Sequence, residues 1–238
     1  ILKKGQSYNA PRAIATFSDR GLDGVTNNHY SWIRSRPNHI TKVRPRPLTL
    51  NMWEALYFDH NEEKIKALID VAAEVGIERV VLDDGWFAGR RSDKSSLGDW
   101  WVSPEVYPNG LAPLISHVQK LGMDFGIWVE PEMISEDSEL FRMHPDWALV
   151  SPDYEPVRSR NQLVLNLAHT PAYVYVFSKL DKLFSENEIS FVKWDMNRPH
   201  VQSTLQSGAA GTHEQTLAVY KLIDQLRAKH QHIEIESC

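Results

Sequence analysis

The sequence predicts an α/β fold: a parallel sheet covered by helices, preceded by a shorter β-rich segment. Two observations carry this expectation. From residue 49 onward, short apolar strand patterns alternate with amphipathic helix patterns, the signature of βα units. Polar and acidic residues stand at the C-terminal end of nearly every one of those strands, and no glycine-rich phosphate turn follows the first. A doubly wound sheet and a TIM barrel both fit the alternation. The spread of loaded strand ends favours the (β/α)8 barrel, whose chemistry collects on one face.

Residues 1–48 are irregular. "ATFSDRGLDG" and "HYSWIRSRP" predict short strands joined by glycine turns, and "RPRPLTL" a linker, extended by Pro45 and Pro47. "TLNMWEAL" predicts the first barrel strand, with Asn51, Trp53 and Ala55 on one face. "NEEKIKALIDVAAEVG" predicts a helix capped by Asn61, acidic at its positive end and stopped by Gly76. Its apolar stripe is Ile65, Leu68, Ile69, Ala72 and Val75. "ERVVLDD" is a buried-type strand, followed by a long loop and the helix "APLISHVQKLG". "DFGIWVE" is the third strand, and a short helix near "SEDSELFRM" ends at Pro145. "QLVLNL" is the fourth strand, and Thr170–Pro171 opens the next helix. "SFVKWD" is the fifth strand. Thr212 and Gln215 predict a capping box for "HEQTLAVYKLIDQLRAKH", and "HIEIES" is the sixth strand. Six strands cannot close an eight-stranded barrel, so about two further βα units are expected beyond Cys238. Ile1 is not a start residue, and both ends read as cut.

Composition excludes several classes. Lys and Arg number 26 against 31 acids, which leaves no basic patch for a nucleic-acid partner. No apolar run approaches the roughly 18 residues of a membrane span. Cys238 is the single cysteine, so no internal disulfide is possible, and a reducing, cytoplasmic location is expected. The ten histidines form no HExxH, and no Cys–His set is present, so neither a metal nor a cofactor is expected. Trp53, Trp86, Trp100, Trp101 and Trp128 sit in polar loops or at strand ends, where indoles serve either as core or as platforms for sugar rings.

The sharpest constellation is "FVKWDMNRP", residues 191–199. Alternation puts Lys193, Asp195 and Asn197 on one face and Trp194 on the other. A buried ammonium beside Asp195 would keep that carboxylate ionised, the state a glycosidase nucleophile needs. A structural Lys–Asp pair would leave the same pattern. In "LDDGWF", Asp83 and Asp84 can each accept from neighbouring sugar hydroxyls while Trp86 walls the pocket, though Asp-Asp-Gly also suits a turn. "GIWVEPEM" places Trp128 and Glu130 on one face, and Arg160 precedes the fourth strand within reach of a hydroxyl or an acid. Together these residues describe a polar, aromatic-walled pocket for a small polyol.

The ordered series "NMWEALYFDHNEEKI", "LDDGWF", "GDWWVSPEVYPNGLAPL", "GIWVEPEM", "RNQLVLNL" and "KWDMNR" resembles glycoside hydrolase family 36, the α-galactosidases of bacterial type, from about residue 12 to the end. The resemblance implies an internal fragment. Residues 1–48 would be the tail of an N-terminal β-supersandwich, and residues 49–238 a catalytic (β/α)8 barrel truncated after its sixth strand. Carried over, Asp195 is the nucleophile, and Lys193 and Asn197 orient it and the sugar. Asp83 and Asp84 hold galactose hydroxyls, Trp53, Trp128 and Arg160 complete the galactose pocket, and Cys238 begins a pocket-lining loop. The implied reaction is retaining hydrolysis of terminal α-1,6-galactosides such as melibiose or raffinose, by a homotetrameric parent enzyme. The family's acid/base lies past Cys238, so this chain alone is expected to be inactive. Galactosyl transfer of the raffinose and stachyose synthase type, and a non-catalytic sugar-binding module, are the rival readings.

Overall fold

The computed structural model describes residues 2, 4–36, 45–205 and 207–238. The chain divides into two compact units, Ile1–Arg46 and Pro47–Cys238.

The first unit carries a helix, α1 (Gly21–Ser35), where the sequence predicts strands. Asp23 in its first turn and Arg34 in its last complement the helix dipole. Just before the helix, the Arg20 N–H donates to Ser18 Oγ at 3.0 Å. The Asn28 amide donates back to the Phe17 carbonyl at 2.9 Å. Gly24, expected in a turn, is instead a packing point, since a Cβ there would meet the Ser18 side chain. Pro37, at the end of the second expected strand, and Arg44, at the start of the expected linker, lie outside the described residues.

The second unit is built on a parallel five-stranded sheet. Its strands are β1 (Thr49–Asn51), β2 (Arg79–Leu82), β3 (Asp124–Val129), β6 (Phe191–Trp194) and β7 (Glu234–Ser237), in that spatial order. All four positions of β2 are buried, as expected of a strand covered on both faces. Two strands depart from expectation. "QLVLNL" does not join the parallel sheet. Its core, β5 (Leu163–Val164), pairs antiparallel with β4 (Met133–Ile134), so among the described residues five strands run in parallel and not six. The first strand ends at Asn51, whose side-chain oxygen accepts the Trp53 N–H at 2.8 Å and starts the helical turn α2 (Trp53–Leu56). That turn breaks the face expected to join Asn51, Trp53 and Ala55.

The covering helices follow their sequence signals with two exceptions. In α3 (Glu62–Glu74), Asn61 accepts the Lys64 N–H at 3.0 Å, and Ile65, Ile69 and Ala72 are buried. Gly76 ends the helix with φ +86°. Val75, expected in the apolar stripe, is the exposed C-cap. Helices α4 (Ala112–Lys120) and α6 (Thr170–Glu186) each carry a proline in the first turn. α5 (Glu139–Met143) is capped by Ser138 and halts before Pro145. In α7 (Thr212–Lys229) the expected capping box is absent: Gly211 is the N-cap and makes no side-chain cap bond. Gln215 is buried and turned to another task. Its amide donates to the Leu165 carbonyl at 2.9 Å, and its oxygen accepts the Leu167 N–H at 2.8 Å. No helix among the described residues is long and apolar enough to cross a membrane.

Candidate active site

The parallel strands deliver their carboxyl ends to one side, and a cavity of about 370 Å³ opens there. Ligands of parallel α/β sheets bind at this end. The nine residues that the family resemblance assigns to the site all line the cavity: Trp53, Asp83, Asp84, Trp128, Arg160, Lys193, Asp195, Asn197 and Cys238. Phe58, Arg90, Asp93, Glu130 and Gln162 complete the wall.

Asp195 follows β6 directly. Its Oδ2 accepts from Trp128 Nε1 at 2.9 Å and Asn197 Nδ2 at 2.7 Å, and its Oδ1 accepts the Met196 N–H at 2.8 Å. The indole that could have been mere core therefore orients a carboxylate. The expected partner is different. Lys193 hydrogen-bonds Asp83 Oδ2 at 2.9 Å, not Asp195. Alternation gives the correct face for Lys193, but a long side chain reaches past β3 to the end of β2. Burial acts to lower the Lys193 pKa, and the bond and charge of Asp83 outweigh it, so the ammonium is held above its ordinary value.

Asp83 also accepts from Asn51 Nδ2 at 2.6 Å and from the Asp84 N–H at 2.8 Å. A carboxylate has about four acceptor sites. Three are filled, leaving capacity for one ligand hydroxyl. Asp84 is gripped in a two-bond fork by Arg90, Nε at 2.9 Å and Nη2 at 2.8 Å. Burial pushes the Asp84 carboxyl up, and the Arg90 fork opposes that push. Arg90 Nη1 also donates to the Ser95 carbonyl at 2.7 Å, tying the long loop to the site.

Arg160 donates to Asn197 Oδ1 at 3.4 Å from a backbone at φ +55°, and Asn161 beside it has φ +57°. Two successive non-glycine residues in the left-handed region are costly and cluster at functional sites. Glu130, just beyond β3, accepts from Gln162 Nε2 at 3.0 Å and from the Asn197 N–H through the same oxygen. Burial drives its carboxyl up to about 7, the Asn197 and Gln162 bonds act against that, and the Asp195 charge reinforces it. Burial and the Asp195 charge likewise push the Cys238 thiol up. Trp86, expected to wall the pocket, is fully buried behind it and donates to the Trp128 carbonyl at 2.9 Å. Trp100 is core as well. Arg90 and Gln162 escaped sequence reasoning because loop residues carry no period, and only Gln162's place at a strand start hinted at it. Among the described residues, no three His, Cys, Asp or Glu side chains are disposed to hold a metal ion.

The sequence model of the melibiase family matches residues 7–238. The chain belongs to this family. It is 44% identical over 237 residues to the alpha-galactosidase of Escherichia coli, covering 100% of this chain and 33% of that one. It is 41% identical to alpha-galactosidase AgaA of Geobacillus stearothermophilus, again over 100% of this chain and 34% of that one. A solved structure of an AgaA variant, described as a GH36 alpha-galactosidase in complex with raffinose, superposes with a TM-score of 0.86 at 41% identity, covering 93% of this chain and 32% of that one. This melibiase-family chain thus spans about a third of the length of the curated relatives it matches.

Proposed function

We propose that this chain carries the galactose pocket and the nucleophile of a retaining α-galactosidase acting on terminal α-1,6-galactosides. The observation that carries this reading is Asp195. It is a carboxylate fixed by an indole N–H and an amide, facing a cavity of about 370 Å³ whose other wall holds two cation-bound aspartates. Relatives named alpha-galactosidase, and neighbours solved with raffinose and with stachyose, supply the substrate class. The strands belong, in this reading, to a (β/α)8 barrel. Lys193 on β6 reaches Asp83 beyond β2 across the intervening β3, a span that a sheet curled around the cavity makes short.

Asp83 and Asp84 hold galactose hydroxyls, and Trp53 and Trp128 face the ring. Asp195 attacks C1 as the C1–O bond to the aglycone breaks, giving a galactosyl ester. A second carboxyl protonates the departing oxygen and then takes a proton from the water that releases α-galactose. By resemblance to the family, that second carboxyl is supplied from beyond Cys238, so turnover is expected of the complete enzyme and not of this stretch of it.

The test uses the complete enzyme with p-nitrophenyl α-galactoside. Asp195→Asn is expected to lower kcat by about 10³-fold or more, and NMR should detect α-galactose as the first product. Release of β-galactose would exclude retention, and unchanged turnover in Asp195→Asn would exclude the nucleophile.

A further inference from the structure

Glu130 raises a question of chemistry. It is 1% exposed, lines the cavity beside Asp195, and its hydrogen bonds come from neutral donors: a backbone N–H and the Gln162 amide. A buried carboxyl with such partners is costly, because neutral donors compensate a charge poorly. A glutamine would offer the same acceptor oxygen without that cost, so packing alone does not account for a carboxyl here.

What Glu130 touches is Asn197, and Asn197 is held at three points. Its backbone N–H is bound by Glu130, its side-chain oxygen by Arg160, and its NH2 points to Asp195 Oδ2 at 2.7 Å. Fixing the backbone N–H and the amide oxygen leaves one orientation for the NH2. We infer that Glu130 is a positioning residue for Asp195, acting through Asn197, with Gln162 holding Glu130 in turn. The inference deepens the galactosidase reading and rests on it. The charged groups acting on Glu130 are Asp195, from the end of β6, and Arg90, from the loop after β2. With its carboxyl pushed up to about 7, Glu130 changes charge near neutrality, and the grip on Asn197 changes with it. Forming the galactosyl ester removes the Asp195 charge and so favours the ionised, stronger-gripping form during the second half of the reaction.

The test uses the complete enzyme and three variants. Glu130→Leu removes the acceptor and is expected to lower kcat about 10- to 100-fold, the cost of a misplaced reacting group. Its KM should change less than about threefold, because the hydroxyl-binding aspartates are untouched. Glu130→Gln restores one acceptor oxygen, so it should recover part of the lost kcat and abolish the inflection near pH 7 in kcat/KM. Adding Glu130→Leu to Asn197→Ala should cost nothing beyond Asn197→Ala alone, because the first acts through the second. Multiplying losses in that pair, a KM that rises as far as kcat falls, or a wild-type pH profile retained by Glu130→Gln would each overturn the inference. Should Glu130→Leu not fold, the Glu130→Gln pH profile decides. A wild-type enzyme without galactosidase turnover would instead sink the underlying reading, and the two failures are separable.

Discussion

Asp84 and Arg90 meet in a two-bond fork, and the pairing is written nowhere in their local sequence. Asp84 ends a strand whose apolar run is legible. Arg90 lies in a loop whose path no period describes. This divides what could be read at the residue scale: side chains at strand ends are placed by strand alternation, and loop partners are not. Lys193 lies between, since its face was readable but its partner, Asp83, was set by the reach of its stem across β3. The fork has a measurable consequence. Arg90→Met leaves Asp84 buried with its main counter-charge gone, so burial pushes its carboxyl up further. A charge-assisted hydrogen bond contributes about 1.5–3 kcal/mol, so galactose should bind the complete enzyme about 10- to 100-fold more weakly by titration calorimetry. Arg90→Lys keeps the charge and loses the fork, and should fall between wild type and Arg90→Met. Equal affinity across the three proteins would show that Asp84 takes no part in holding the sugar.

Helix α7 shows how an element can be recognised for a reason the structure replaces. Its helical pattern was readable and its start correct to within one residue, but the capping box was not formed, because Gln215 faces inward and ties α7 to the segment after β5. The same segment explains why "QLVLNL" was recognised as a strand but assigned to the wrong sheet. Its strand character is local, whereas its partner, β4, is set by the chain's turn after Glu130. Helix α1 was missed for the opposite reason. Gly21, Gly24, Thr26, Asn27 and Asn28 are weak helix formers, and the helix depends on end contacts and on Gly24 packing against Ser18. The clamp in α7 is testable. Gln215→Leu keeps the bulk but leaves the buried Leu165 carbonyl without its amide donor. Unfolding by urea should show a loss of about 1–3 kcal/mol, with the m-value unchanged. A loss under about 0.5 kcal/mol, the size of an ordinary surface substitution, would mean that the clamp is incidental.

Across the whole molecule, a buried carboxyl and a half-buried imidazole pull the pH dependence of stability in opposite directions. Glu130 binds its proton up to about pH 7 in the fold, against an ordinary value of 4.5. Between those values the folded state holds more protons than the unfolded, so this contribution is fully present below the unfolded value and is lost as pH rises through about 7. His60 behaves in reverse. Burial, aided by the Arg91 charge, lowers it from 6.5 to about 4, and its ring nitrogen Nδ1 lies 2.8 Å from the Tyr107 hydroxyl. Between those values the unfolded state holds the extra proton, so stability rises with pH across that window. In the wild type the two slopes oppose each other from about pH 4.5 to 6.5. Glu130→Gln removes one of them. Relative to wild type, the variant should gain stability as pH rises from 4.5 to 7, by up to about 3 kcal/mol for a shift of this size. His60→Gln should shift the difference the other way, losing stability relative to wild type as pH rises from 4 to 6.5. Urea unfolding of each protein at pH 4.5, 5.5, 6.5 and 7.5 reads both differences directly. Difference curves flat within about 0.5 kcal/mol, the ordinary scatter of a neutral substitution, would mean that neither group carries a shifted proton in the folded chain.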